Sequence, residues 1–215
     1  MIGNGLGPPF IFIPSTLIVI AMLLPPIYLL LSVTSTGMDI FNIVKDKDTL
    51  AIIVNTVLLM FSVSLSSIAI SLPIAWLTVK TDLPFRSMWS VLTILPLVIP
   101  SYVGGFIVIT ALGPKGLLQD LLSSFGVNRL PEIYGFPGAF LTLTILSFPY
   151  VLLPVRSSLY RINPSIEESS SALGLGTWNT FIRIILPMLR PSLVIGSLIV
   201  ALYTISDFGA VSMLQ

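Results

Sequence analysis

Cysteine and histidine are both absent from this chain, and charged residues make up only 9% of it. The first two absences remove disulfides, thiol nucleophiles, imidazole bases and almost every ordinary zinc or haem ligand set, so an enzyme reading starts without its usual chemistry. Ten Lys and Arg against nine Asp and Glu leave no large basic surface, which sets nucleic acid aside as a partner. No Lys or Arg precedes the first apolar run. That run is too long for a signal-peptide core and lacks a small-residue cleavage pattern, so it reads as a retained span.

What is present is apolar. Hydrophobic residues are 55% of the 215, with a mean hydropathy of +1.03, against a globular average of about a quarter charged residues. Five runs are long enough to cross a bilayer: 10–32, 50–79, 87–112, 137–158 and 193 to about 213. The fold expected is all-α and polytopic, with about five spanning helices. Pro25, Pro26, Pro73, Pro96, Pro100, Pro149 and Pro154 fall inside these runs. In a helix bundle neighbouring groups satisfy the carbonyls that proline frees, so kinked helices are expected.

Lys and Arg counted loop by loop favour a cytoplasmic N-terminus. Lys80, Arg86, Arg156, Arg161, Arg183 and Arg190 then face in, and Lys45, Lys47, Lys115 and Arg129 face out. The outer side also carries Asp39, Asp46, Asp48, Asp120 and Glu132. Leu117, Leu118, Leu121, Leu122 and Phe125 share one helical face between the third and fourth runs, as a short helix at the outer interface would. The chain stops at Gln215 within or just after an apolar run and is expected to be truncated there. Asp207, in "TISDFGA", is the clear ionisable group inside a run, a candidate either for lining a translocation path or for capping and packing near the outer interface, with Gly209 easing a local break.

The polar stretch 167–187, "EESSSALGLGTWNTFIRIILP", lies on the inner side between the fourth and fifth runs. Asn163 caps a helix beginning at Pro164, Glu167 falls near its positive end, and Gly174 stops it. A second helix starting at Thr177 places Trp178, Phe181, Ile182 and Ile185 at the spacing of a buried face, with Pro187 expected to end it. Such a hairpin either rests on the inner leaflet, drawn by Arg161, Arg183 and Arg190 to anionic lipid, or docks a soluble partner.

Glu168, Gly174, Ile184, Leu186 and Pro187 reproduce, gap for gap, the Glu-Ala-Ala signature of membrane subunits of binding-protein-dependent ABC importers, with Ser169 and Ser170 in place of the two alanines. "GPKGLLQDLL", "RLPEIYGFPGA", "FPYVLLPVRSSL" and "ALYTISDFGAVSML" extend the likeness, and the chain from about residue 50 resembles the first half of ferric-iron importer permeases. The resemblance implies a type I importer transmembrane domain over 50–215, preceded by a first helix and outer loop over 1–49, with a coupling loop at 159–192. It further implies that Glu167, Glu168, Ser169, Ser170, Gly174, Ile184, Leu186 and Pro187 couple to a cytoplasmic ATPase dimer. Other implied partners are an extracytoplasmic binding protein, a second permease half, fused or separate, and membrane lipid. ATP would be used by the ATPase, with no cofactor, metal or catalytic residue in this chain, and the location implied is a bacterial inner membrane.

Ferric iron is the substrate the overall likeness suggests, with thiamine, phosphonate, polyamine, sulfate or molybdate served by the same machinery. A secondary transporter or channel would place more ionisable groups at mid-membrane. An intramembrane hydrolase would need a Ser with Lys or an Asp pair, and Lys80 and Lys115 both fall in loops.

Overall fold

The computed structural model describes residues 9–36, 46–114, 116–123 and 133–214. Among them every regular element is helical. In chain order these are α1 (Pro9–Thr36), α2 (Lys47–Lys80), α3 (Arg86–Leu92), a 3-10 turn (Leu95–Val98), α4 (Ser101–Leu112), α5 (Leu117–Ser123) and α6 (Phe136–Arg161). There follow α7 (Pro164–Ala172), α8 (Thr177–Thr180), a π turn (Phe181–Ile185), α9 (Leu186–Ser206) and α10 (Gly209–Met213). Asp39, Lys45, Lys115, Phe125, Arg129, Glu132 and Gln215 lie outside the described residues, and α5 is the described part of the expected interfacial helix.

Five helical stretches among the described residues are long and apolar enough to cross a membrane: Phe12–Ser32, Lys47–Lys80, Ser101–Ser123, Phe136–Arg161 and Thr177–Ser206. The third differs from the expected single span over 87–112. Pro96 and Pro100 withdraw two backbone donors one turn apart, and the residue before a proline is pushed out of the helical region. Ile99 is accordingly extended at φ −82°, ψ 119°. The run therefore breaks into α3, the 3-10 turn and α4. Prolines elsewhere are absorbed: Pro14, Pro25 and Pro26 in α1, Pro73 in α2, Pro149 and Pro154 in α6, Pro191 in α9.

The chain divides into two compact units, Met1–Ile53 and Val54–Gln215. The first contains α1 and the opening of α2. The second is organised around α6, two-thirds of whose apolar window is buried, while less than a third is buried in the other candidate spans of this unit. Leu143, Val151, Leu152, Val155 and Leu159 of α6 are fully enclosed, as are Ile185, Leu189 and Val200 on the neighbouring helix.

Small residues let backbones approach closely, the usual device between membrane helices. Gly196 of α9 faces the Val151 backbone, where an added Cβ would come within 2.7 Å of Val151 Cα and 3.1 Å of the Tyr150 carbonyl oxygen, to which Pro154 has no N–H to donate. On α2, Ser64, Ser67, Ser71, Ala75 and Thr78 form a buried stripe of small side chains. Ser71 Oγ donates to the Phe148 carbonyl at 2.8 Å, and Ser67 lies 3.5 Å from Ser147. The core of this unit is built from α6 and α9 with residues of α2 and of the α10 segment, Ala210 and Leu214, and the α7–α8 hairpin joins α6 to α9.

Candidate functional site

The hairpin begins with local chemistry. Asn163 is extended and its side chain accepts the Ser165 N–H at 3.1 Å, and Pro164 follows at the first helical position, where a missing donor costs nothing. The helix stops at Gly174, which has φ +81°. The Leu175 N–H returns to the Ser170 carbonyl and the Gly174 N–H to the Ser171 carbonyl, both at 3.0 Å, closing two of the orphan acceptors at the end of α7. No atom lies within 4 Å of the position a Cβ would take on Gly174, so the demand there is on backbone conformation alone.

The four residues of the Glu-Glu-Ser-Ser run are divided by the helix into different tasks. Glu168 and Ser169 are exposed, and Ser169 Oγ donates back to the Ser165 carbonyl. Glu167 is part-buried and forms an ion pair with Lys80, at the end of α2. Ser170 is buried; its hydroxyl lies 2.9 Å from Thr180 Oγ1 on α8 and donates to the Glu167 carbonyl at 2.8 Å. The serine standing where the signature has its second alanine thus pins one limb of the hairpin to the other, a hydrogen bond worth about 1 kcal/mol.

The second limb departs from expectation. Pro187 does not end the helix, which runs without a break from Thr177 to Ser206. A proline inside a helix clashes with the carbonyl four residues earlier, here that of Arg183, and a π turn over Phe181–Ile185 widens the helix at that point. The extra residue also rotates the buried face. Trp178 is 71% exposed and Ile182 43%, while Thr180, Ile185 and Leu189 are enclosed. Ile184 within the π turn, and Leu186 and Pro187 just beyond it, are part-buried on the rising helix rather than at the hairpin tip. A proline with apolar sequence on both sides is the signal that marks such a continuation.

Two residues of α2 that sequence alone did not single out pack against the back of this hairpin, away from its exposed face. Lys80 figured in the sequence only as a loop charge, and Trp76 not at all. Trp76 packs edge-on against Phe181, with centroids 4.8 Å apart and planes at 74°, and Phe181 stacks on Trp178 at 5.8 Å. An apolar cleft of about 590 Å³ opens beside them, lined by Leu72, Pro73 and Trp76 from α2 and by Thr177, Trp178 and Phe181.

Asp207 sits at the other end of α9, about 30 Å from Pro187 at 1.5 Å per residue. The helix breaks there, and Asp207 Oδ1 accepts the Ala210 N–H at 2.8 Å, capping α10. Gly209 lets this break approach the start of α4, since a Cβ on it would come within 2.5 Å of Ser101 Oγ. The structure therefore brings Glu167, Glu168, Ser169, Ser170 and Gly174 together on one hairpin and leaves Asp207 apart. Among the described residues no group of three or more acidic side chains converges in a way that would hold a metal ion.

The profile of the family described as "Binding-protein-dependent transport system inner membrane component" matches residues 67–215. The molybdenum transport system permease protein ModB of Escherichia coli is 30% identical over 159 residues, which are 72% of this chain and 68% of that protein. The Haemophilus influenzae protein named "Putative ferric transport system permease protein FbpB 1" is 29% identical over 177 residues, 82% of this chain but 28% of the relative. The sulfate transport system permease protein CysT of Escherichia coli is 26% identical over 171 residues, 80% of this chain and 61% of the relative.

Proposed function

This chain belongs to the inner-membrane permease subunits of binding-protein-dependent ABC importers, and we propose that its α7–α8 hairpin is the contact with a cytoplasmic ATPase dimer. The observation that carries the reading is the exposed Glu168 carboxylate on α7, ahead of a turn held open by the left-handed Gly174. Leu173, 83% exposed at that turn, adds an apolar tip. A carboxylate beside an exposed apolar side chain on a short, doubly closed hairpin is a knob for a cleft in a partner.

In this reading the ATPase uses the ATP, and this chain holds neither nucleotide nor metal. Closure of the ATPase dimer moves the hairpin, and the hairpin moves the helices joined to it. It continues through the π turn into α9 without a loop and connects to α6 across Ile162 and Asn163, so displacement passes into the membrane with little slack. Substrate arrives on an extracytoplasmic binding protein, a second permease half completes the path, and Asp207 borders that path. The chain is multi-pass in a bacterial inner membrane, with residues 159–190 facing the cytoplasm.

Ferric iron is the substrate suggested by the sequence likeness and by the ferric relative, which aligns with 82% of this chain. The molybdenum and sulfate relatives favour a second reading, an oxyanion. Both keep the cargo a small inorganic ion delivered by a binding protein that supplies the selectivity. The deciding experiment purifies the full-length protein from its host membrane, identifies the ATPase and binding protein that accompany it, and measures uptake of labelled ferric iron, molybdate and sulfate into vesicles. Accumulation of iron alone supports the first reading and of an oxyanion alone the second; absence of an ATPase partner would refute the importer mechanism.

A further inference from the structure

The covalent chain links the hairpin to α6 and α9. Nothing in the connectivity links it to α2, which ends at Lys80, 87 residues before Glu167 in sequence. Yet the end of α2 is held by both limbs of the hairpin. Lys80 pairs with Glu167 on α7, the lysine side chain 14% and the glutamate 33% exposed. Trp76, one turn earlier on the same face of α2, packs edge-on against Phe181 where α8 enters the π turn. We infer that Lys80 is a positioning residue: the Lys80–Glu167 pair, backed by Trp76–Phe181, makes the inner end of α2 move with the hairpin, so that α2 is driven along with α6 and α9. The inference rests on the hairpin being the ATPase contact.

The division of the two carboxylates supports this. Glu168 is exposed and has no ion-pair partner among the described residues, so it is free for another molecule. Glu167 is turned inward and already engaged. A partly desolvated pair resists separation better than a surface one, because parting it leaves two charges to be rehydrated or stranded. Lys80 also lies in the last turn of α2, where the helix end favours a cation. Along the rest of its buried face α2 packs Leu59, Val63 and Ala75 into the core and sets small serines against α6, with Ser71 bonded to the Phe148 carbonyl and Ser67 beside Ser147. The hairpin adds a charged and an aromatic hold at the inner end of that seam.

The test uses the complete permease with its second half, ATPase and binding protein in proteoliposomes, comparing Lys80→Gln, Lys80→Arg and the exchange Lys80→Glu with Glu167→Lys. Lys80→Gln is expected to assemble and to hydrolyse ATP at the basal rate, while uptake per ATP consumed falls at least about fivefold, the lower end of an ordinary coupling between sites. Lys80→Arg restores most of that ratio, and the exchanged pair, whose charges oppose both helix ends, restores part of it. An unchanged ratio in Lys80→Gln, or Lys80→Arg as poor as Lys80→Gln, overturns the inference. Because the chain has no cysteine, Lys80→Cys and Glu167→Cys can also be joined by a short bifunctional thiol reagent. The linked complex is expected to transport, since the two ends travel together; arrest by the link means that they must part during the cycle, which also overturns it. If binding protein fails to stimulate ATP hydrolysis in the wild-type complex, the reading of the hairpin falls and this inference with it. Normal stimulation together with silent Lys80 variants removes the inference alone.

Discussion

Gly174 offers the sharpest quantitative test of the hairpin, because its surroundings separate backbone strain from crowding. A Cβ there would touch nothing within 4 Å, so the cost of Gly174→Ala is conformational: φ is +81°, a region that costs an L-residue about 1–2 kcal/mol. Part of that is offset by the lower entropy of alanine in the unfolded chain, about 0.4–1 kcal/mol. A net loss of about 1 kcal/mol lowers the ratio of closed to open turn about fivefold, and a partner that binds only the closed turn sees its apparent affinity fall by up to that factor. Asparagine tolerates the left-handed region and should lose least; valine, β-branched, should lose most. The assay is half-saturation of the ATPase on reconstituted permease, together with binding-protein-stimulated hydrolysis. The expected order of loss is Asn, then Ala, then Val, with insertion into the membrane unchanged in all three. Equal losses in the three variants would show that a partner's cleft, rather than φ, excludes the side chain, and no loss in any of them would sink the role of the turn.

Glu168→Gln removes an exposed charge without changing shape, and is expected to weaken ATPase association by about 1.5–3 kcal/mol if that carboxylate accepts charged hydrogen bonds, measured as the dissociation constant of the purified complex. Ser170→Ala strands the buried Thr180 hydroxyl and should lower hairpin stability by about 1–2 kcal/mol, while Ser170→Ala with Thr180→Val should recover most of it in a thermal or limited-proteolysis assay. A single cysteine at Ser171, exposed on α7, should react with a membrane-impermeant reagent in inside-out vesicles and not in intact cells; the reverse pattern contradicts the cytoplasmic placement of the hairpin. Asp207→Asn can still accept the Ala210 N–H and so keep the cap, while losing its charge. Slower iron uptake with unchanged stimulated hydrolysis is expected if Asp207 borders a cation path, and full-speed uptake assigns it to capping alone.

Apolar runs of about 20 residues, twice what a crossing strand needs, were enough to point to an all-helical membrane chain. The ends of α7 were equally legible. Asn163, Pro164 and Gly174 act on their own neighbours within four residues, so their effect does not wait on the rest of the fold. Tertiary structure decided what depends on distant partners. The π turn before Pro187 and the rotation that exposes Trp178 and Ile182 while enclosing Thr180, Ile185 and Leu189 arise where a proline must continue a helix already packed against α6. The break at Ile99 replaced one expected span with two half-helices, because two prolines one turn apart outweigh an unbroken apolar run. Glu167 and Glu168 are the same residue type at adjacent positions, and only folding separates them. The hundred-degree step between neighbours on a helix turns one toward Lys80, 87 residues away in the chain, and leaves the other to the solvent.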